Sequence, residues 1–185
     1  MSKEPIYLAG PDVFLSDEQK QRIREIKGKI CAEFGFKPVF PVDGSEMVAS
    51  EIFGADCSLM SRTDVKVGLF NLSPFRGPSA DPGTVFELGY MYALGKRVFG
   101  YTNSESDYRG RIKGWTKDSN NKLWDQHGYF VEDYKLADNL MVECAVLSSG
   151  GVIKRVKEQP VSERDPLAAL EAFRACLREL RSRIP

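Results

Sequence analysis

An open parallel α/β sheet of about five strands, with helices on both faces, is the fold class this sequence predicts. Three observations predict it. Short β-type runs alternate with helical patterns along the chain. The run Val65–Leu72 is largely apolar, as a parallel strand covered on both faces should be. The 185 residues, 42% apolar and 28% charged, suit one globular domain spanning 1–185 rather than two domains or a disordered chain.

The elements are taken in chain order. Ile6-Tyr7-Leu8-Ala9 reads as the first strand, closed by Gly10-Pro11. Ser16 and Gln19 have capping-box spacing, and Ile23, Ile26, Ile30 and Phe34 then share one helical face. Gly35 stands where a left-handed helix end favours glycine. A second strand near Lys37–Phe40 ends at Pro41, and a second helix is expected over Ala49–Arg62. After the Val65–Leu72 strand comes a breaker-rich loop, Ser73 to Gly83, then a helix from about Thr84 to before Gly95 and a strand at Arg97–Tyr101. Residues 102–137 are polar, carry Trp115 and Trp124, and read as a long loop with some local structure, packed on its aromatics or lying as a lid over a pocket. Leu140–Leu147 is expected to be the fifth strand. Asp165-Pro166 opens a C-terminal helix over about 165–182, whose stripe Leu167, Leu170, Phe173, Leu177 and Leu180 suits packing on the sheet.

Composition removes several function classes. Lys+Arg and Asp+Glu both total 26, so the chain lacks the basic excess of a nucleic-acid coat or an anionic-membrane binder. No apolar run approaches the roughly 18–20 residues that span a bilayer, and Met1–Pro5 has no apolar signal core. A cytoplasmic protein is expected. Cys31, Cys57, Cys144 and Cys176 are scattered without a CxxC pair, as expected of thiols in a reducing compartment. With His127 the single histidine, a His/Cys zinc site is not expected, nor any other metal or cofactor. A histidine-based triad would rest on that one residue, so carboxylates are the expected agents of any chemistry.

The stretch Asn71–Gly95, NLSPFRGPSADPGTVFELGYMYALG, concentrates the candidates. Glu87 has two readings. Thr84 to Glu87 is a capping-box spacing, which would make Glu87 a structural residue. A helix N-terminus also favours an ionised carboxylate, which suits an anionic nucleophile. Asp81-Pro82-Gly83 is also ordinary turn chemistry, Asp64 fits a turn before the third strand, and Tyr7 fits an inward core tyrosine. In an open parallel sheet ligands bind beyond the carboxyl ends of the strands, where Gly10, Pro41 to Asp43 and the Ser73–Gly83 loop converge.

The combination Tyr7-Leu8-Ala9-Gly10-Pro11-x-x-Phe14, Asp64, Ser73-Pro74-Phe75-Arg76-Gly77 and Asp81-Pro82-Gly83-Thr84-x-Phe86-Glu87-Leu88-Gly89, with the later Asp138-Asn139-Leu140-Met141, resembles the nucleoside 2-deoxyribosyltransferase family. The resemblance covers about residues 5–101 and that later segment. It implies a flavodoxin-like (Rossmann-like) fold and exchange of the base of a 2′-deoxynucleoside for another base. Glu87 then matches the nucleophile that attacks C1′, Tyr7 the residue that orients it, and Asp64 the acid near the departing base. Asp81 matches a residue near the sugar 5′-hydroxyl, and Gly10 and Gly83 fall within the substrate-binding motifs. Phe14 packs near the base. Asn139 and Met141 reach the pocket from a neighbouring subunit, so a homo-oligomer with a shared site is implied. Its partners are small molecules, 2′-deoxynucleosides and free nucleobases, with no nucleic acid and no membrane.

Some relatives carry aspartate where Asn71 stands, and asparagine keeps the hydrogen bonding without the charge. Arg76 suits loop anchoring or a phosphate contact. Asp81 at the 5′ end would repel a phosphate dianion, which favours nucleosides over nucleotides. Asp43 and Glu46 are candidates to face the base. Two alternatives stand beside transfer: hydrolysis of 2′-deoxynucleosides or their 5′-monophosphates on the same scaffold, and a non-catalytic nucleotide-binding module.

Overall fold

The computed structural model describes residues 3–42, 47–156 and 170–183. Five parallel strands form the central sheet: β1 (Glu4–Ala9), β2 (Phe36–Val39), β3 (Val67–Asn71), β4 (Arg97–Thr102) and β7 (Ile153–Arg155), in the order β2-β1-β3-β4-β7. This is the flavodoxin-like winding, whose order reverses between β1 and β3. The register aligns Tyr7 with Gly68 and Ala9 with Phe70.

The two-residue period of β1 sorts its side chains. Ile6 and Leu8 enter one core with α1 (Asp17–Glu33) and α6 (Leu170–Ser182), beside Ile30, Leu69, Phe99 and Phe173. Tyr7 and Ala9 enter the opposite core with α2 (Ala49–Ser61), α3 (Pro82–Ala93) and α5 (Leu140–Ser148), beside Met60, Phe70, Leu88 and Val142. Tyr7 therefore faces the layer that carries Glu87. The helices lie on both faces, as expected. On α6 the buried residues Phe173, Cys176, Leu177 and Leu180 pack against the sheet, with Phe173 edge-on to Tyr101 at 5.3 Å. The expected cap Asp165-Pro166 and Leu167 lie outside the described residues, as do Asp43 and Glu46.

The caps explain where the helices begin. Ser16 and Gln19 form the expected box at α1. Gly35 comes directly after that helix end with φ +83°. The fifth strand differs from expectation: residues 140–147 are helical, and the strand is Ile153–Arg155. Asn139 caps α5 by accepting from the Met141 N–H at 3.0 Å, and Val142 and Val146 bury one face. A short apolar run has no decisive period, and the cap settled it. β7 can lie beside β4 because residue 151 is glycine. A Cβ there would stand 1.8 Å from the Val98 carbonyl oxygen.

Residues 102–137 carry the local structure expected of them. They form α4 (Tyr108–Arg111) and a small antiparallel hairpin, β5 (Thr116–Lys117) with β6 (Leu123–Trp124). No helix among the described residues is long and apolar enough to cross a membrane.

Candidate active site

A cleft of about 250 Å³ opens at the carboxyl edge of β1 and β2. Its floor and walls come from the β1 exit (Gly10, Val13, Phe14), the β2 exit (Pro41, Val42), α2 and the first turns of α3. Gly10 permits the close approach at its base, since a Cβ there would lie 2.5 Å from Asn71 Cβ. Asn71 is buried and neutral, and its Oδ1 accepts from both the N–H and the hydroxyl of Ser73, at 3.1 and 2.6 Å. It shapes the turn out of β3.

Glu87 stands in the second turn of α3. The capping box expected between Thr84 and Glu87 is not formed. Asp81 is the N-cap instead, accepting from the Thr84 N–H at 2.9 Å and the Thr84 hydroxyl at 3.2 Å. Pro82 at the first helical position sets the helix one turn earlier than the box spacing implied. Glu87 is thus free of any capping duty. Its Oε1 accepts from the Tyr7 hydroxyl at 2.5 Å, and its Oε2 has no hydrogen bond among the described residues.

Electrostatics set the protonation of this pair. Burial pushes the Glu87 carboxyl up to about 7; the Tyr7 hydrogen bond pulls it down, and Asp56 and Asp81 push it further up. Tyr7 is raised well above the ordinary phenol range, first by burial and then by Glu87. It stays a donor throughout the physiological range.

Asp56 is an acid that is not among the candidates expected from the sequence. It lines the cleft from α2 and accepts from the Val42 N–H at 2.8 Å. Burial raises its carboxyl above the usual range. A sequence signal for it existed: Ile52, Asp56 and Met60 fall at i, i+4 and i+8, so Asp56 interrupts an apolar helical stripe.

Asp64 does not join the cleft. It precedes β3 and so lies at the amino edge of the sheet, opposite the carboxyl edge where Glu87 stands. There it is about half exposed and makes a bidentate pair with Arg62 at 2.7 and 3.0 Å. That pairing holds its carboxyl below the ordinary range. Strand direction is the reason: residues before a parallel strand and residues after it occupy opposite edges.

Phe14 lines the cleft mouth and stacks on Phe75 with centroids 5.0 Å apart. The Arg76 guanidinium lies 4.7 Å from both rings, which anchors the loop. Gly83 and Asp81 are also on the wall. Cys57 stands beside Asp56 on the same wall. Asn139 and Met141 do not line the cleft of their own protomer. Asn139 donates to Glu132 at 2.8 Å while capping α5, and Met141 is 72% exposed. Trp115 and Trp124 also stand away from the cleft, in the hairpin, so the lid reading does not apply to it within the protomer. Among the described residues no group of three or more His, Cys, Asp or Glu side chains could hold a metal ion.

The doubly wound parallel sheet carries a carboxylate–tyrosine pair, part-buried Glu87 with buried Tyr7, at the cleft by its switch point, where open α/β sheets hold ligands. The sequence model of the family described as Nucleoside 2-deoxyribosyltransferase matches residues 6–141. The chain belongs to that family, whose reactions are at N-glycosidic bonds. An uncharacterised protein of Schizosaccharomyces pombe is 31% identical over 206 residues, covering 97% of this chain and 89% of that one. Among solved structures, a 2-desoxiribosyltransferase from Leishmania mexicana superposes with TM-score 0.64 at 24% identity, covering 93% of this chain and 97% of that chain. A CMP N-glycosidase from Clostridium botulinum matches with TM-score 0.51 at 14% identity, covering 97% and 99%. At these identities the two structures show the fold.

Proposed function

We propose that the protein transfers 2-deoxyribose between the nucleobases of 2′-deoxynucleosides, by double displacement through a glycosyl ester on Glu87. The observation that carries this reading is the Tyr7–Glu87 pair, which leaves one carboxylate oxygen unbonded in a cleft that also holds Asp56.

In the first step Glu87 Oε2 forms a bond to C1′ as the C1′–N bond breaks, and the departing base takes a proton from Asp56. In the second, a new base attacks C1′, the ester bond breaks, and the proton lost by the incoming nitrogen returns to Asp56. Two inversions retain configuration. The oxocarbenium-like transition state carries positive charge, which the ionised Glu87 stabilises, and the missing 2′-hydroxyl makes that charge easier to form. Tyr7 holds Oε1 and so aims Oε2. Asp56 takes the role that the family resemblance gave to Asp64, because burial favours its protonated form. Asp81, at the α3 N-cap, receives the sugar 5′-hydroxyl, and Gly10, Gly83 and Phe14 shape the pocket around sugar and base. Asn139 and Met141 serve the cleft of a neighbouring subunit in a homo-oligomer. The exposure of Met141 supports this.

The test is chromatography of the protein with 2′-deoxyinosine, with and without adenine. Appearance of 2′-deoxyadenosine only with adenine, and its loss in Glu87→Ala, is the expected result. Hypoxanthine release without a new nucleoside would replace transfer by hydrolysis. One observation favours that second reading: Phe14 and Phe86 at the cleft mouth are each 50% exposed, so water reaches the rim of an isolated protomer. Silence with purine and pyrimidine donors and 5′-monophosphates would leave a binding module.

A further inference from the structure

The hairpin segment holds a second cavity, of about 290 Å³, which shares no residue with the cleft around Glu87. We propose that it is a binding site for a nucleoside 5′-monophosphate.

The module around the cavity is rigidly built. Asp118 accepts from the backbone N–H groups of Asn120 and Lys122 and from the Trp124 indole, all at 2.8–3.0 Å, which fixes the hairpin tip. Trp124 packs edge-on to Phe130 at 6.0 Å, and Leu123 and Val131 are buried beneath. On this frame the cavity presents two kinds of chemistry. Trp115, Phe130 and Tyr134 line it with aromatic rings, each at least 36% exposed. Rings fixed on a frame and open to solvent are stacking platforms for a flat base.

Cations line the rest. Arg109, Lys117 and Lys122 contribute three positive charges against one carboxylate on the wall, Asp133. Asp133 is already shared between Lys135 at 2.8 Å and Arg109 at 3.4 Å. Lys117 and Lys122 make no ion pair among the described residues. The Arg109 guanidinium lies 5.1 Å from the Trp115 ring, so charge and stacking surface adjoin. Its Nε is buried and has no hydrogen-bond partner among the described residues. An unsatisfied buried donor beside a cavity asks for an acceptor that the protein does not supply. A phosphate offers acceptor oxygens to the Arg109 Nε and a full negative charge to Lys117 and Lys122, which make no ion pair among the described residues, and a base joined to it by a sugar reaches the rings. A nucleobase or nucleoside would leave the cations unanswered, and inorganic phosphate would leave the rings unanswered. The overall charge of zero argues for a mononucleotide rather than a strand of nucleic acid.

The only two tryptophans of the chain, Trp115 and Trp124, both lie in this module, so indole emission reports on it directly. The experiment titrates the Glu87→Ala protein with adenosine 5′-monophosphate. Saturable change in emission with a midpoint below about 1 mM is expected, with adenosine and inorganic phosphate each at least tenfold weaker, roughly 1.4 kcal/mol. The exposed pair Lys117→Glu/Lys122→Glu should weaken the nucleotide about tenfold or more while leaving deoxynucleoside turnover by the otherwise wild-type enzyme unchanged. Saturating 2′-deoxyinosine should not displace it. No emission change up to about 10 mM overturns the proposal, as do unchanged affinity in the double variant, displacement by the deoxynucleoside, or at least tenfold tighter binding of single-stranded oligodeoxyadenylate. The readout does not depend on catalysis, so this site and the transferase reading fail separately.

Discussion

Glu87 and Asp56 are two carboxylates in one cleft, and burial raises both above the usual carboxylate range. Glu87 must be ionised to attack, and its carboxyl stands at about 7. The value of kcat/KM should therefore fall about tenfold per pH unit below about 7, as the acid limb of a pH–rate profile would show. The sign is fixed by burial, which favours the neutral acid and so delays ionisation. Asp56→Asn removes the proposed proton donor. It should lower kcat by about 10²-fold or more. Asp64→Asn should leave kcat/KM within about twofold, because an exposed pair such as Asp64–Arg62 contributes little. Equal losses in the two variants would return the acid role to Asp64. Both residues are aspartates next to plausible elements, and the sequence separates them only through helical period and strand direction. The carboxylate inside an apolar stripe was the better signal.

At the level of elements, the site depends on how the loop before α3 is held. Asp138 is buried and binds the segment Ser79–Ala80 from across the chain: its carboxylate accepts from the Ser79 hydroxyl and, at 2.9 Å, from the Ala80 N–H. Arg111 approaches it at 3.7 Å and also donates to the carbonyls of Pro78, Ser106 and Ala137. α4 and the start of α5 are thereby tied to the residue before the Asp81 cap. Asp138→Ala leaves three donors, the Ser79 hydroxyl and the Ala80 and Asn139 N–H groups, without their acceptor and Arg111 without its carboxylate. It should destabilise the protein by about 3 kcal/mol in urea unfolding, by the usual cost of breaking a buried charged network. A loss under about 1 kcal/mol would show that the loop holds itself. A comparable anchor holds the other wall: buried Lys27 of α1 pairs with Asp12, in the turn that supplies Val13 and Phe14 to the cleft. Asp138 stood in a recognised sequence segment, yet its partners are about 58 residues away and no local pattern links them.

The whole molecule bears on whether one protomer suffices. Within it, Asn139 and Met141 reach no cleft of their own, while Met141, Leu147, Phe86 and Phe53 present large apolar groups on the α2, α3 and α5 layer. If neighbouring subunits complete each other's sites, two inactive variants should complement. Equimolar Glu87→Ala and Asn139→Ala, unfolded and refolded together, should recover about one quarter of the wild-type sites in a dimer, since half the dimers are mixed and one of their two sites is intact. Activity no greater than the sum of the separate variants would confine the site to one chain. Size-exclusion chromatography before and after mixing gives the assembly that the assay reads.

The sequence by itself determined the alternating α/β order, the α1 box, the two-sided burial of the third strand and the Tyr7–Glu87 motif. These depend on short-range period, on turn residues and on a recognisable pattern. Only the tertiary structure decided that 140–147 is a helix, that Asp81 and not Thr84 caps α3, and that Asp56 and not Asp64 shares the cleft with Glu87. The first two depend on which of two local signals wins, an Asn139 cap at a short apolar run and a proline that starts a helix early, and the third on a parallel sheet that sends the residues before a strand and the residues after it to opposite edges.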